Sequence, residues 1–277
     1  MFQLRCLTAL LSPFMYGSFG TWWQNQVDTF DLENSSWFQE FIYEFDRNFI
    51  REDRWLSLLK GLLNTLYITF FAVLLGIAIG IVIALIRSTY DKNYSEMKQK
   101  GGIGRYFLAF FNGICNVYLA VIRGTPVVVQ LLIMYFIIFE SSTNGIMVAI
   151  IAFGVNSGAY VAEIFRGGIM AVDHGQFEAG RSLGFNYIQT MIYIVIPQMF
   201  KTVLPTLCNE FIVLLKETAV AGYVGIADLT KAGDLIRGRT FSAFMPLIAV
   251  AIIYFVIVMI FTKLVGKLER RLRKSDR

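Results

Sequence analysis

Residues 62–86 read LLNTLYITFFAVLLGIAIGIVIALI, without one charged side chain. A helix needs about 20 apolar residues to cross the hydrocarbon core of a bilayer, and this run exceeds that length. Inside a bilayer every backbone N–H and C=O must find a partner within the protein, so only helices and closed barrels span it. A barrel strand would alternate apolar and polar residues over segments of about 10, and this run does not alternate. The chain is therefore read as an all-α integral membrane protein with one membrane domain. Composition agrees: of 277 residues, 56% are hydrophobic and 16% charged, and the mean hydropathy is +0.58, where soluble domains carry roughly 25% charged residues.

Four further apolar regions follow, at 106–139, 146–165, 200–215 and 244–265. The first of these is interrupted by Arg123-Gly124-Thr125-Pro126. Proline with glycine is a recognised way to break a membrane helix, and two full spans would need about 40 residues. The region is read as one broken helix, which makes five core spans. Residues 87–105 carry Arg87, Lys92, Lys98, Lys100 and Arg105 against Asp91 and Glu96, and the tail from Lys263 onward is also basic. Both belong in the cytoplasm by the positive-inside rule. Residues 21–60 are mainly acidic and suit the outside. Residues 1–60 are thus expected to be a mostly extracytoplasmic extension, ahead of a membrane domain at 61–277. The apolar but short stretch at 4–20, interrupted by Pro13, leaves a sixth span open.

Cysteines 6, 115 and 208 follow no CxxC spacing, and His174 stands without a cluster, so neither a disulfide framework nor a metal site is expected. The net charge of +5 reflects the cytoplasmic tail. Anionic lipid headgroups account for it, and no nucleic-acid partner is expected.

Between the third and fourth spans, residues 177–197 read FEAGRSLGFNYIQTMIYIVIP. Glu178 and Arg181 at i, i+3 can pair on a first short helix over 176–183. Gly184 permits the reversal that ends it. A second helix begins at Asn186, an N-cap residue, and is expected to stop at Pro197. Its apolar positions Tyr187, Met191, Ile194 and Val195 recur at helical spacing. A rigid, partly apolar knob of this kind suits a groove in another protein. A helix lying on the bilayer surface is the alternative, although the polar face has little Lys or Arg.

The spacing of Glu178-Ala179-Gly180, Gly184, Ile194 and Ile196-Pro197 resembles the EAA loop of ATP-binding cassette (ABC) importer permeases, EAA-x3-G-x9-I-x-L-P. It departs by Gly180 for the second alanine and Ile196 for leucine. TLYIT (65–69), IRGTPVVVQLLIMYF (122–136), AYVAEIFRGGI (159–169) and LPTLCNEFIVLLKETAV (204–220) are similar to the polar amino acid (His/Gln/Arg-type) branch of those permeases. The resemblance runs from about residue 62 to the C-terminus. It implies a type I ABC importer transmembrane domain in a bacterial cell membrane, with a cytoplasmic coupling helix in the 176–197 loop. Glu178, Ala179, Gly180, Gly184, Ile194 and Pro197 would then carry the coupling to a separate ATPase. A second permease, identical or related, and an extracytoplasmic amino acid binding protein are the further partners it implies. No GxxxxGK[ST] phosphate loop occurs in the chain. ATP and Mg would bind the partner, and this chain is expected to be a transport subunit with no catalytic residues and no cofactor of its own.

Polar side chains within spans mark a pathway or a pair. Asn156, Tyr160, Glu163 and Gly167 share one helix face. Asn209 with Lys216, and Glu210 with Glu217, form two adjacent stripes, the first extended by Lys201 and Pro205. An amino acid carries both charges, and these groups could receive it. Gln130 is a further candidate at the break of the second helix. The alternative is that Glu163–Arg166 and Lys216–Glu217 are membrane-edge charges that hold helices in register. A passive channel or an ion-coupled amino acid carrier would also explain intramembrane charges, but not the docking loop. The spacings Gly76–Gly80 and Gly154–Gly158 allow close helix approach, read as internal packing before a dimer seam.

Overall fold

The computed structural model describes residues 18–31, 36–100 and 103–274. The possible span at 4–20 lies outside them, save for the three residues that open α1 (Ser18–Asp28). Helix α2 (Trp37–Phe45) is opened by Ser36, whose hydroxyl accepts from Gln39 N while the Gln39 side chain accepts from Ser36 N. A π turn at Asp46–Ile50 follows, and Glu52 and Asp53, both at positive φ, turn the chain into α3.

The membrane helices are α3 (Arg54–Lys100), α4 (Ile103–Gly124), the short α5 (Val127–Ile133), α6 (Gly145–Ala171), α9 (Ile196–Glu217) and α11 (Phe244–Lys274). Between α6 and α9 lie α7 (His174–Ser182) and α8 (Tyr187–Thr190), and α10 (Leu229–Thr240) precedes α11. Among the described residues, five segments are long and apolar enough to cross a membrane, namely α3, α4, α6, the α8–α9 run and α11. The second apolar region is broken as expected. Pro126 is extended at φ −63°, ψ 137°, directly before α5, because a residue with no N–H cannot continue the α4 ladder.

Helices α3 and α6 form the centre. Their two GxxxG spacings face each other: a β-carbon on Gly80 would lie 2.5 Å from Val161 Cγ1, and one on Gly154 would lie 2.7 Å from Leu75 Cδ2. Gly158 meets Ile79 in the same seam. The absence of side chains lets the backbones approach where lipid offers no hydrophobic drive to associate. Both spacings are internal packing. On one side of the seam Ile68, Ala72, Leu131, Phe153 and Leu214 pack together. On the other, Ala84, Val161, Phe165, Phe177, Val195 and Val203 do so. Large apolar side chains such as Phe107, Phe110, Val117, Ile252 and Phe255 are exposed, as befits faces turned to lipid tails.

Helix α10 lies along the start of α3, so close that a β-carbon on Gly61 would lie 2.6 Å from the Asp228 carbonyl oxygen. Asp228 caps α10: its carboxylate accepts from Thr230 N at 2.9 Å and Lys231 N at 3.1 Å. Burial pushes this carboxyl above its usual range, against the pull of the hydrogen bonds it accepts. The far end of α10 is held by Arg47, which donates to the Thr240 carbonyl at 2.7 Å, and by Asn48, which accepts from the Thr240 hydroxyl at 2.7 Å.

Gly80→Leu should overpack the seam and cost about 1–3 kcal/mol, read as a lower melting temperature in detergent. Gly113→Leu, where a side chain meets nothing within 4 Å, should melt with the wild type. Asp228→Ala should cost about 1 kcal/mol through loss of the cap, while Asp228→Asn keeps it. A raised carboxyl pKa in the fold means the folded state binds the proton first. Asp228 should therefore add stability as pH falls from its raised folded value toward about 3.9, the unfolded value. Thermal unfolding against pH should show this rise in wild type and its loss in Asp228→Asn.

Candidate functional site

Helix α6 ends where Val172 and Asp173 become extended. Asp173 Oδ1 accepts from Gly175 N at 2.6 Å and so starts α7. Gly184, at φ +80°, stops it: Gly184 N donates to Arg181 O at 2.9 Å and Phe185 N to Gly180 O at 3.0 Å. This paired closure, the Schellman motif, needs a left-handed residue that glycine supplies without strain. Two residues later Asn186 and Gln189 cap each other reciprocally, each side chain accepting from the other's backbone N–H at 2.9 Å. A short helix is thus fastened at both ends and held at a fixed angle to the next. Glu178 is exposed, with Oε1 3.3 Å from His174 Nδ1.

The second helix does not stop at Pro197. A π turn at Met191–Val195 precedes α9, and Pro197 falls in the first turn of α9. The wider turn accommodates the ring and the missing N–H, so the chain runs helically from Tyr187 to Glu217. The apolar repeat expected to meet a partner also has another role. Met191 and Val195 are buried beside Phe165, Ile169 and Phe177, and Ile194 packs near Gly180. That stripe anchors the knob to α6 and α9. The outward apolar side chains include Leu183, Ile188, Ile192 and Tyr193, exposed by 70%, 66%, 50% and 68%. Sequence reasoning passed over them because they lie off the periodic face.

Gly180 is buried where α7 crosses α8, and a β-carbon there would lie 2.7 Å from Thr190 Oγ1 and 2.8 Å from its Cγ2. Ala179 beside it is exposed. The glycine at this point in the EAA-like pattern is matched to the threonine opposite.

Within the spans, Gln130 Nε2 donates to Ile122 O at 2.7 Å, Thr125 O at 3.1 Å and Thr125 Oγ1 at 2.8 Å. These are acceptors near the α4 terminus that the break at Pro126 frees. Gln130 Oε1 accepts from Asn156 Nδ2 at 3.0 Å, which ties the break to α6. Glu163 pairs with Arg87 of α3 and lies 3.8 Å from Arg166, whose other contact is Asp91 at 2.9 Å. Arg123 sits 5.8 Å from the Tyr160 ring centroid. The expected face of Asn156, Tyr160, Glu163 and Gly167 is thus divided among separate partners. Glu210 is buried and accepts from Ser157 Oγ at 3.0 Å, with Glu217 partly buried beyond it. Asn209 and Lys216 are exposed, and so are Thr202 and Thr206. These four lie at helical spacing on one face of α9. The two threonines escaped notice in the sequence because a hydroxyl in an apolar run reads as a backbone-bonded side chain, as Thr206 indeed is, donating to Thr202 O at 3.2 Å.

Residues 101–274 fit the family model described as binding-protein-dependent transport system inner membrane component. The chain belongs to this family. It is 38% identical over 169 residues to the arginine transport system permease protein ArtQ of Bacillus subtilis, covering 60% of this chain and 77% of that one. To the glutamine transport system permease protein GlnP of Escherichia coli it is 35% identical over 167 residues, 58% of this chain and 76% of that one. A crystal structure of an amino acid ABC transporter with histidines superposes with a TM-score of 0.67 at 41% identity, over 78% of this chain and 94% of that chain. The MetNI methionine ABC transporter, in an inward-facing form, also reaches 0.67, at 18% identity over 80% of this chain and 98% of that one. That last likeness shows the fold alone; the family match and the 41%-identical structure identify it as a type I ABC importer transmembrane domain. As a permease of this family the chain exposes Glu178 and Ala179 of its EAA-like pattern on a doubly capped helix and buries Gly180 within it.

Gly180→Ala should destabilise this permease through the Thr190 clash, even though alanine is favoured over glycine in a helix by up to about 1 kcal/mol. With Thr190→Ala in place the sign should invert, and Gly180→Ala should then stabilise. A thermal-unfolding double-mutant cycle measures the coupling.

Proposed function

We propose that this permease is the membrane subunit of an ATP-driven importer of polar amino acids in a bacterial cell membrane. It would work as a pair, with itself or a related permease, on two ATPase subunits that bind ATP and Mg. The observation that carries the reading is α7. It is a helix capped at both ends, rooted by Phe177, and it carries exposed Glu178, Leu183, Ile188 and Tyr193 on and just beyond it. Such a body transmits displacement because both its ends are fixed. An ATPase pair closing on nucleotide would draw two copies together and bias the spans between inward-open and outward-open states.

The polar residues support a path between two subunits. Charged and amide side chains do not face lipid cheaply, so exposed Asn209 and Lys216 with Thr202 and Thr206 turn to a water-filled path or to the second permease. Buried Glu210 and partly buried Glu217, with Gln130, Asn156, Tyr160 and Glu163, shape the wall behind it. The basic charge at 87–105 and in the tail supports a cytoplasmic place for those segments and α7, and an N-terminal region outside, where a binding protein would deliver substrate. The names of the arginine and glutamine relatives support an amino acid as cargo.

Proteoliposomes holding this chain, its genomically neighbouring ATPase and the binding protein should take up one or two labelled polar amino acids only with ATP inside. Glu178→Ala with Gly184→Val should abolish that uptake while the spans stay folded. Uptake indifferent to ATP, or wild-type uptake in the double variant, would refute the reading in favour of a passive or ion-coupled path.

A further inference from the structure

Helix α3 does not end where the membrane-length apolar run ends. It continues to Lys100, an arm of roughly 20 Å beyond Ile86 at 1.5 Å per residue. The base of this arm is fastened to α6 by a chain of four charges. Arg87 pairs with Glu163, Glu163 approaches Arg166 at 3.8 Å, and Arg166 reaches Asp91 at 2.9 Å. One residue further, Lys92 Nζ stands 3.3 Å from the centroid of the Phe177 ring. Phe177 is the root of α7. It is 6% exposed and packs inward on Phe165 and Ile169 of α6 and on Met191 and Val195.

We infer that Lys92 is a positioning residue for energy coupling: through the Phe177 ring it fastens the cytoplasmic arm of α3 to the helix that meets the ATPase. The inference rests on the importer reading and deepens it. The chain itself joins α7 to α6 and to α8, so those helices follow α7 through covalent connection. Helix α3 has no such covalent connection to α7, and Lys92 gives its arm a direct contact with that helix. A cation held over an aromatic face is suited to this, since it is strong when partly dehydrated and tolerates small sliding over the ring. A cleft lined by Asp91, Met170, His174, Arg181 and Tyr187 opens beside the contact. With Lys92 in place, displacement of α7 reaches both helices of the central α3–α6 seam. Without it, displacement of α7 reaches the α3 arm only indirectly, through α6 and the Arg87–Glu163–Arg166–Asp91 chain.

Two readouts test this in the full chain. The first is amide hydrogen exchange of residues 174–183 in nanodiscs, with no ATPase present. Lys92→Met should speed it by about threefold or more, the loss of one exposed-to-buried cation–π contact, and Lys92→Arg should restore it. Phe177→Leu should speed it further, because it also removes core packing, and Lys92→Met added to Phe177→Leu should change little. The second is amino acid taken up per ATP hydrolysed in the assembled transporter. Lys92→Met should lower this ratio several-fold with ATP hydrolysis retained, and Lys92→Arg should recover it. Exchange unchanged in Lys92→Met, or no rescue by arginine, overturns the grip. Faster exchange with an unaltered ratio overturns its role in coupling. If the wild type shows no ATP-driven uptake while exchange responds as stated, the importer reading fails and the grip stands.

Discussion

The rest of the molecule hangs on the approach of α3 and α6 across their facing glycines. In a bilayer, helices gain little by leaving lipid for one another, so van der Waals contact must hold them. Contact of that quality requires backbones close enough to interlock. Gly76, Gly80, Gly154 and Gly158 remove the side chains that would prevent it, and Leu75, Ile79, Ser157 and Val161 fill the spaces left. The apolar clusters at either end of the seam recruit α5 and α9. The ion chain at the end nearest α7 and the Tyr118 hydroxyl on the Val155 carbonyl complete it.

Rigidity at the seam gives the peripheral parts something to move against. The knob at 174–190 is built with unusual local redundancy: an Asp cap, a Schellman closure and a reciprocal Asn–Gln cap within seventeen residues. Its buried face is apolar and continuous with the α6–α9 core, and its exposed face mixes charge with isolated apolar side chains. A loop of that length with free ends would dissipate any push by bending. This one is held at both ends and along its buried face.

The polar side chains inside the spans fall into two physical kinds. Gln130, Asn156, Glu163 and Glu210 are each answered by a named partner, and their main effect is to hold breaks and helix contacts in register. Asn209 and Lys216 are exposed and look outward from α9. The second kind presents the more exposed surface, while Gln130 and Glu163 are only partly exposed.

The span count, the broken second helix, the caps at Asn186 and Gly184 and the EAA-like spacing were all legible in the chain, because each depends on residues adjacent in sequence. Length of apolar run, a missing proline N–H and the left-handed tolerance of glycine act locally and need no tertiary contact. Periodicity likewise marked Met191 and Val195 as one face, but not which neighbour that face would meet, and it turned out to be the core. The Pro197 stop was misread because a π turn upstream, which no local signal announced, let the helix pass. Glu163 finds Arg87 across 76 residues, and Gly180 is explained only by Thr190 on another helix. Such pairings are set by how close the α3–α6 seam and the crossing of α7 over α8 bring distant backbones, a distance that a linear sequence does not contain.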